Sequence, residues 1–462
     1  MLYCKSRYTL AEQWPDGRGI LANAFTGAVD IVPAQLVQFV QAEREFAYNS
    51  RHSHHRTLVD RGYYVESAEV EDAIARLVAK QAKQRALQSA EAKYMFALSL
   101  KCNLACSYCW QVIEQGNKRQ RTPLMTEEMV EAAFRFIDHD MTERHKSTAF
   151  ISLFGGEPLI DRPDFHELVK KIGDRTKARG LHLHFTTNGK HLRKFEDEIR
   201  RYSPSIQVTV DGAEFAADGP LLMRANQKLH GLYETILDVA GRLRSRVFLR
   251  YLLSDGNVGA FVQLADDIFE RQAANDGLTL AVAPLQNKSS GTDNTVPPKF
   301  RLLSILFDAL DDRWYSHRIS YIDWRSLNLF SGFRAGEDLL PSAGFYHCEA
   351  NLDLTCFDQS GALYACYEGI GDPQFAVGAY WPTIQIDQDH LEKYRGRSAF
   401  SMPQCTSCPV SPICGGGCEV RGYKKNGTYM HPYCDDLHAE TSMVLREWPR
   451  VFRILTGNTN DA

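Results

Sequence analysis

Eleven of the twelve cysteines in this chain of 462 residues fall into two tight groups, Cys102 to Cys109 and Cys348 to Cys434, and Cys4 stands apart. That distribution constrains the fold more than any other feature. A disulfide scaffold is short, loop-rich and made for an oxidising compartment. This chain is long, and its first residues (Met1-Leu2-Tyr3-Cys4-Lys5) lack the apolar stretch of an export signal. The expected compartment is therefore the cytoplasm. Clustered thiols in a reducing compartment point to metal or iron–sulfur ligation. No apolar run approaches a membrane span. The formal net charge of −4 argues against a broad nucleic-acid or membrane-surface role.

The length predicts two or three domains. Residues 1–90 read as a small α+β unit in a winged-helix-like order. Ile20–Asn23 and Gly27–Val32 form an expected hairpin, and helical patterns follow at Ala34–Ala42 and Glu69–Ala82 around a turn at Leu58–Tyr63. His52, His54 and His55, flanked by Arg51 and Arg56, read as a solvated polar loop. Lys80 to Lys93 reads as an exposed linker helix and not a nucleic-acid arm. Residues 91–335 alternate six short apolar runs with stretches of helical period. The runs are Tyr94–Leu100, Thr148–Phe154, Leu181–Thr187, Ile206–Val210, Val247–Leu253 and Leu278–Val282. Alternation of this kind predicts an α/β fold, a partial (β/α)6 TIM-type barrel. Residues 336–462 are rich in Cys, Gly and Pro and are expected to fold around metal more than around a hydrocarbon core.

The first motif is Lys101-Cys102-Asn103-Leu104-Ala105-Cys106-Ser107-Tyr108-Cys109, directly after the first barrel-type run. Three thiolates spaced C-x3-C-x2-C can hold three corners of a cubane cluster and leave the fourth iron open for chemistry. Zinc is the alternative, but zinc prefers paired C-x2-C units. The second is Phe154-Gly155-Gly156-Glu157-Pro158, where paired glycines allow a ligand close to the backbone and Glu157 can accept from a cationic amine. Thr186-Thr187-Asn188-Gly189 and Thr209-Val210-Asp211-Gly212 end the third and fourth runs, and read equally as loop turns or ligand contacts. Arg250 lies inside the apolar fifth run and demands an anionic partner, either a ligand carboxylate or a structural salt bridge. Four motifs following strands, with none preceding one, converge on one face of a barrel.

At these residues the chain resembles the radical S-adenosylmethionine (SAM) superfamily. The resemblance implies a 4Fe–4S cluster on Cys102, Cys106 and Cys109, with SAM chelating the open iron. It places Tyr108 near the adenine, and Gly155, Gly156, Glu157 and Pro158 near the SAM amino group. Thr187, Asn188, Thr209 and Asp211 then contact the ribose and sulfonium side, and Arg250 the carboxylate. Cys348-x12-Gly361-x4-Cys366, then Cys405-x2-Cys408-x5-Cys414-x3-Cys418, then Cys434, resembles the seven-cysteine SPASM domain. That implies two auxiliary 4Fe–4S clusters, an outer one on Cys405, Cys408, Cys414 and Cys434 and an inner one on Cys348, Cys366 and Cys418. Cys356 is either the fourth inner ligand, the preferred reading, or a buried thiol in alternation with Leu352 and Leu354.

SPASM-type enzymes mostly modify peptides or proteins. The resemblance therefore implies a maturase of ribosomally made peptides, forming thioether or carbon–carbon cross-links or a related oxidation. It also implies a precursor peptide as substrate and a flavodoxin- or ferredoxin-type electron donor. Two alternatives stand beside it: a formylglycine-generating enzyme of the anaerobic sulfatase-maturase type, and a multi-cluster electron-transfer protein. About a hundred residues precede the triplet, more than sulfatase maturases place there, and they suit a leader-binding unit. No residue is assigned as a catalytic base.

Overall fold

The computed structural model describes residues 1–88, 91–216, 219–243, 245–271, 277–286, 297–330 and 344–457, and the expected domain boundaries at residues 90 and 335 lie outside them. The first 88 residues run β1 (Leu2–Lys5), β2 (Thr9–Gln13), β3 (Arg18–Asn23), β4 (Val29–Pro33), α1 (Ala34–Ala42), β5 (Glu45–Ala47), α2 (Ser53–Asp60), β6 (Tyr64–Val65) and α3 (Ala68–Gln88). The predicted hairpin is β3–β4, with Ala22 opposite Val29. β2 completes that sheet, and β1, β5 and β6 form a second antiparallel one.

Two local expectations change here. Leu58, Val59 and Asp60 end a helix, and the chain turns at Arg61-Gly62, where Gly62 has φ +79°. His54 and His55 therefore lie on α2 and not in a loop. Burial of Leu58 and packing of the His55 ring 4.5 Å from Phe46 give the helix its inner face. The linker helix stops at Gln88, and Lys93 is on the next strand, paired with Glu349 at 2.6 Å.

The barrel strands are β7 (Glu91–Ala97), β8 (Thr148–Phe154), β9 (His182–Thr187) and β10 (Ser205–Val210), followed by an inserted hairpin of β11 (Gly212–Ala216), β12 (Gly219–Arg224) and β13 (Gln227–Lys228). β14 (Val247–Leu253), β15 (Leu278–Pro284) and β16 (Ser320–Tyr321) continue the series. Helices α4 (Trp110–Gln115), α5 (Glu127–Glu143), α6 (Pro163–Ala178), α7 (Glu196–Tyr202), α8 (Leu232–Gly241), α9 (Val258–Arg271) and α10 (Lys299–Leu310) fill the crossovers. β7, β8, β9, β10, β14, β15 and β16 lie side by side in that order, all parallel, so the loops after them meet on one side.

The barrel stays open because β7 gives its other edge to β17 (Thr355–Asp358), also parallel. β18 (Ala362–Tyr364), β19 (Ala376–Ala379) and β20 (Gln385–Ile386) extend the sheet antiparallel from there. The cysteine-rich segment therefore shares the hydrocarbon core, with Phe357, Leu363 and Tyr380 buried. Its strands of two to four residues are too short to show period-2 alternation.

The N-terminal elements join the same body. The Trp14 indole N–H donates to the Leu445 carbonyl at 3.0 Å, out of water. Tyr8 and Phe25 pack on Phe345 with ring centroids 6.0 and 5.8 Å apart, contacts of about 0.5–1.5 kcal/mol each. Among the described residues, no helix is long and apolar enough to cross a membrane.

Candidate active site

Where the strand-end loops meet, they enclose a cavity of about 370 Å³. Its wall includes Cys102, Cys106, Tyr108, Cys109, Gly155, Gly156, Glu157, Thr187, Asn188, Thr209 and Arg250. Pro158 and Asp211, expected beside them, do not reach the wall. Asp211 stands behind it, accepting from the Tyr108 hydroxyl and from the Ala225 amide at 2.9 Å.

The glycine pair also admits a neighbour from within the chain. Gly155 has φ +125°, and a Cβ there would lie 2.3 Å from the Ser99 carbonyl oxygen. A Cβ on Gly156 would lie 2.1 Å from that of Lys101. What approaches is the chain leading into Cys102, and it is bound there. Gly156 N–H donates to Ser99 O at 2.9 Å and Glu157 N–H to Lys101 O at 2.8 Å. Backbone fills the space a side chain would take, and both glycines still line the cavity.

Glu157 is buried and ties this loop to the next. Its carboxylate accepts from Thr187 Oγ1 at 2.6 Å, Asn188 N at 2.7 Å and Leu159 N at 2.9 Å. Burial nonetheless raises its pKa above the ordinary carboxyl value, those donors opposing. Asn188 Nδ2 lies 2.8 Å from Asn103 Oδ1 and 3.8 Å from Cys102 Sγ. Burial, and then the Glu157 charge, push the Cys102 thiol up to about 11.

Arg250 finds its anion in Asp323, at 2.7 Å on the same cavity wall, so the salt-bridge reading describes it. The cation that sequence reasoning missed is Arg224, at the end of β12. Its Nη1 donates to the Thr209 carbonyl at 2.6 Å, and its Nε has no protein partner. Burial opposes its charge, but Tyr108, Cys106 and Asp211 together hold its pKa above the ordinary value. Leu221-Leu222-Met223-Arg224 carried the same signal as Arg250, a charge ending an apolar run.

The C-terminal thiols stand in two sets. Cys405 is pushed up to about 12 by burial and then by Cys414, Cys408 and Cys434. Cys366 is raised well above the ordinary value by burial and then by Cys418 and Cys348. Between Cys414 and Cys418, Gly415, Gly416 and Gly417 all have positive φ, and a Cβ on Gly417 would lie 1.9 Å from the Tyr433 carbonyl. The buried Arg397 binds this turn through the carbonyls of Gly416 and Gly417. Tyr367, next to Cys366, lines the cavity, so the second set adjoins it. Among the described residues, no three His, Cys, Asp or Glu side chains are grouped to hold a single metal ion.

Cys356 is wholly buried on β17 between Met95 and Tyr364, and its thiol is raised by burial alone. That environment favours the buried-thiol alternative over ligation. Cys356→Ser should then cost about 1–3 kcal/mol of folding stability, as a hydroxyl enters an apolar site. Iron content and cluster absorption should be unchanged, and loss of iron in that variant would restore the ligand reading.

Residues 97–258 match the family model described as the radical SAM superfamily. No curated protein matches the chain. Its fold is similar to that of anSMEcpe solved with bound AdoMet and a Cp18Cys peptide, at 14% identity and a TM-score of 0.55, covering 79% of this chain and 99% of that one. It is also similar to SuiB of Streptococcus suis bound to its precursor peptide SuiA, at 14% identity and a TM-score of 0.52, covering 93% of this chain and 98% of that one.

Proposed function

We propose that this chain, whose residues 97–258 match the radical SAM superfamily model, is a radical SAM enzyme that modifies a ribosomally synthesised precursor peptide. The family's chemistry uses a 4Fe–4S cluster and SAM. We assign the cluster to Cys102, Cys106 and Cys109 and SAM to the cavity beside them. Bound there, the cluster would supply the electron for reductive cleavage of SAM to a 5′-deoxyadenosyl radical. Arg224 is the cation for the SAM carboxylate, since Arg250 is already paired with Asp323. Glu157 sets the edge of the cavity by holding three loops in register. The outer and inner thiol sets carry two auxiliary clusters, the inner through Cys348, Cys366 and Cys418.

The observation that carries the peptide reading is the likeness to SuiB with its precursor peptide, which covers 93% of this chain. Two antiparallel sheets within residues 1–88 offer edges for an added peptide strand, and we assign leader binding to them. The likeness to anSMEcpe with a bound peptide keeps formylglycine formation as the second reading.

Anaerobic reconstitution should yield about 12 irons per chain for three clusters, against about four if the triplet alone binds. Replacing Cys102, Cys106 and Cys109 with Ala should leave two-thirds of the iron and no 5′-deoxyadenosine. Peptides encoded beside the enzyme should lose hydrogen by mass spectrometry. Formylglycine on a sulfatase peptide, with none of those peptides changed, would decide for the second reading.

A further inference from the structure

Radical generation consumes one electron per SAM, and the surfaces beside Cys102 and beside Cys434 differ in charge. At the first, the loop after β9 and the end of the inserted hairpin form a cavity rimmed by Lys190, His191, Arg193, Lys228 and His230, with Glu234 its lone lining carboxylate. Lys190, Arg193 and Lys228 are exposed, as is neighbouring Lys194. Lys190 Nζ donates to Gln227 Oε1 at 3.0 Å, and Lys228 pairs with Glu214 at 2.6 Å, both side chains about half exposed. The way inward is short. His191 Nδ1 accepts from the Asp161 amide at 2.9 Å and lies 3.3 Å from Asn103 Nδ2, next to Cys102. At the other, Cys434 is exposed, and Asp435 and Asp436 follow it, with Lys299 paired to Asp435.

We infer that the Lys190, Arg193 and Lys228 rim is the docking surface of a small acidic one-electron carrier protein, which reduces the cluster on Cys102, Cys106 and Cys109 directly. This rests on the assignment of that cluster above. Complementary charge draws an acidic surface to the rim, while at Cys434 the carboxylates of Asp435 and Asp436 offset Lys299 and Lys425 and leave no comparable excess of positive charge. The carrier loses one electron and the cluster gains it. No bond or proton changes at the docking surface.

The test uses reconstituted holoenzyme, a flavodoxin as the acidic carrier, and dithionite as a small reductant that needs no docking. In Lys190→Glu/Arg193→Glu, the Kd for flavodoxin at low salt should rise about tenfold or more, and flavodoxin-driven 5′-deoxyadenosine formation should fall in step. Iron content and dithionite-driven formation should match the parent enzyme. The gap should close at about 1 M salt, where screening acts within about 3 Å. Lys228→Glu alone should show a smaller defect of the same salt-sensitive kind. Unchanged flavodoxin binding in the double variant would overturn the inference. So would weaker binding in Asp435→Lys/Asp436→Lys with none at the rim. Absence of dithionite-driven cleavage in the parent enzyme would instead defeat the cluster assignment itself.

Discussion

Replacing Arg397 with methionine should destabilise the cysteine-rich segment by about 3–5 kcal/mol, because it strips a buried carboxylate of its cation. Arg397 and Glu419 are both wholly shielded from water and lie 3.7 Å apart. The guanidinium also donates to the carbonyls of Gly417 at 2.5 Å, Tyr429 at 2.8 Å, Gly416 at 2.9 Å and His431 at 3.2 Å. Methionine fills part of the volume and answers none of these groups. Glu419 Oε2 lacks a partner even with Arg397 present. Burial raises the Glu419 pKa, and Arg397 is the largest influence opposing it. A carboxyl whose folded pKa is raised adds stability below its unfolded pKa and loses it as pH rises through the folded one. Without Arg397 that pKa climbs further, so the deficit should be larger near pH 8 than near pH 5. Denaturant midpoints of the iron-free protein at both pH values check this. After reconstitution the variant should keep the triplet's iron, about four of about 12 per chain. A pH-independent deficit under about 1 kcal/mol would show that the Arg397–Glu419 pair is not the staple it is argued to be.

Arg224→Met should weaken SAM binding by about 2–5 kcal/mol, or about 30-fold and upward. The side chain faces the cavity with a buried, unpartnered Nε, and among the described residues Asp211 stabilises its charge without a direct ion pair. A SAM carboxylate would meet a cation held in place by the Thr209 carbonyl. Arg250→Met should cost less, because its charge is already answered by Asp323, and Asp323 is 42% exposed and can be solvated when left alone. SAM affinity by equilibrium binding, and 5′-deoxyadenosine at subsaturating SAM, separate the two. A larger loss in Arg250→Met would return the carboxylate contact to Arg250.

Much of the site was legible along the chain because it is built from short motifs at strand ends. Thr148–Phe154 and Val247–Leu253 are strands over the predicted residues, since parallel strands buried on both faces read as continuous apolar runs. The cysteine triplet and the Gly-Gly-Glu-Pro turn could be placed after β7 and β8 for the same reason. Tertiary structure adds most where a short segment takes its meaning from something distant. Gly156 reads as a ligand-side glycine, and it also makes room for the Lys101 carbonyl. Asp211 looked like a ligand contact, and Tyr108 holds it. The His cluster reads as a solvated loop; His52 and His54 are exposed, but His54 and His55 lie on a helix and the His55 ring packs on Phe46.

Local spacing and period thus determined the open α/β barrel, the face on which its loops converge, and the thiols brought to that face. Those properties depend on neighbours within a few residues, and the chain order records them directly. Tertiary structure alone decided that Arg250 pairs with Asp323 across 73 residues, that Arg397 staples a glycine turn about 20 residues away, and that β17 occupies the edge at which the barrel would otherwise close. It also decided that Trp14 anchors the N-terminal unit on Leu445, 431 residues later. A buried charge or donor takes whichever partner folding brings within about 3 Å, and no spacing along the chain encodes that meeting.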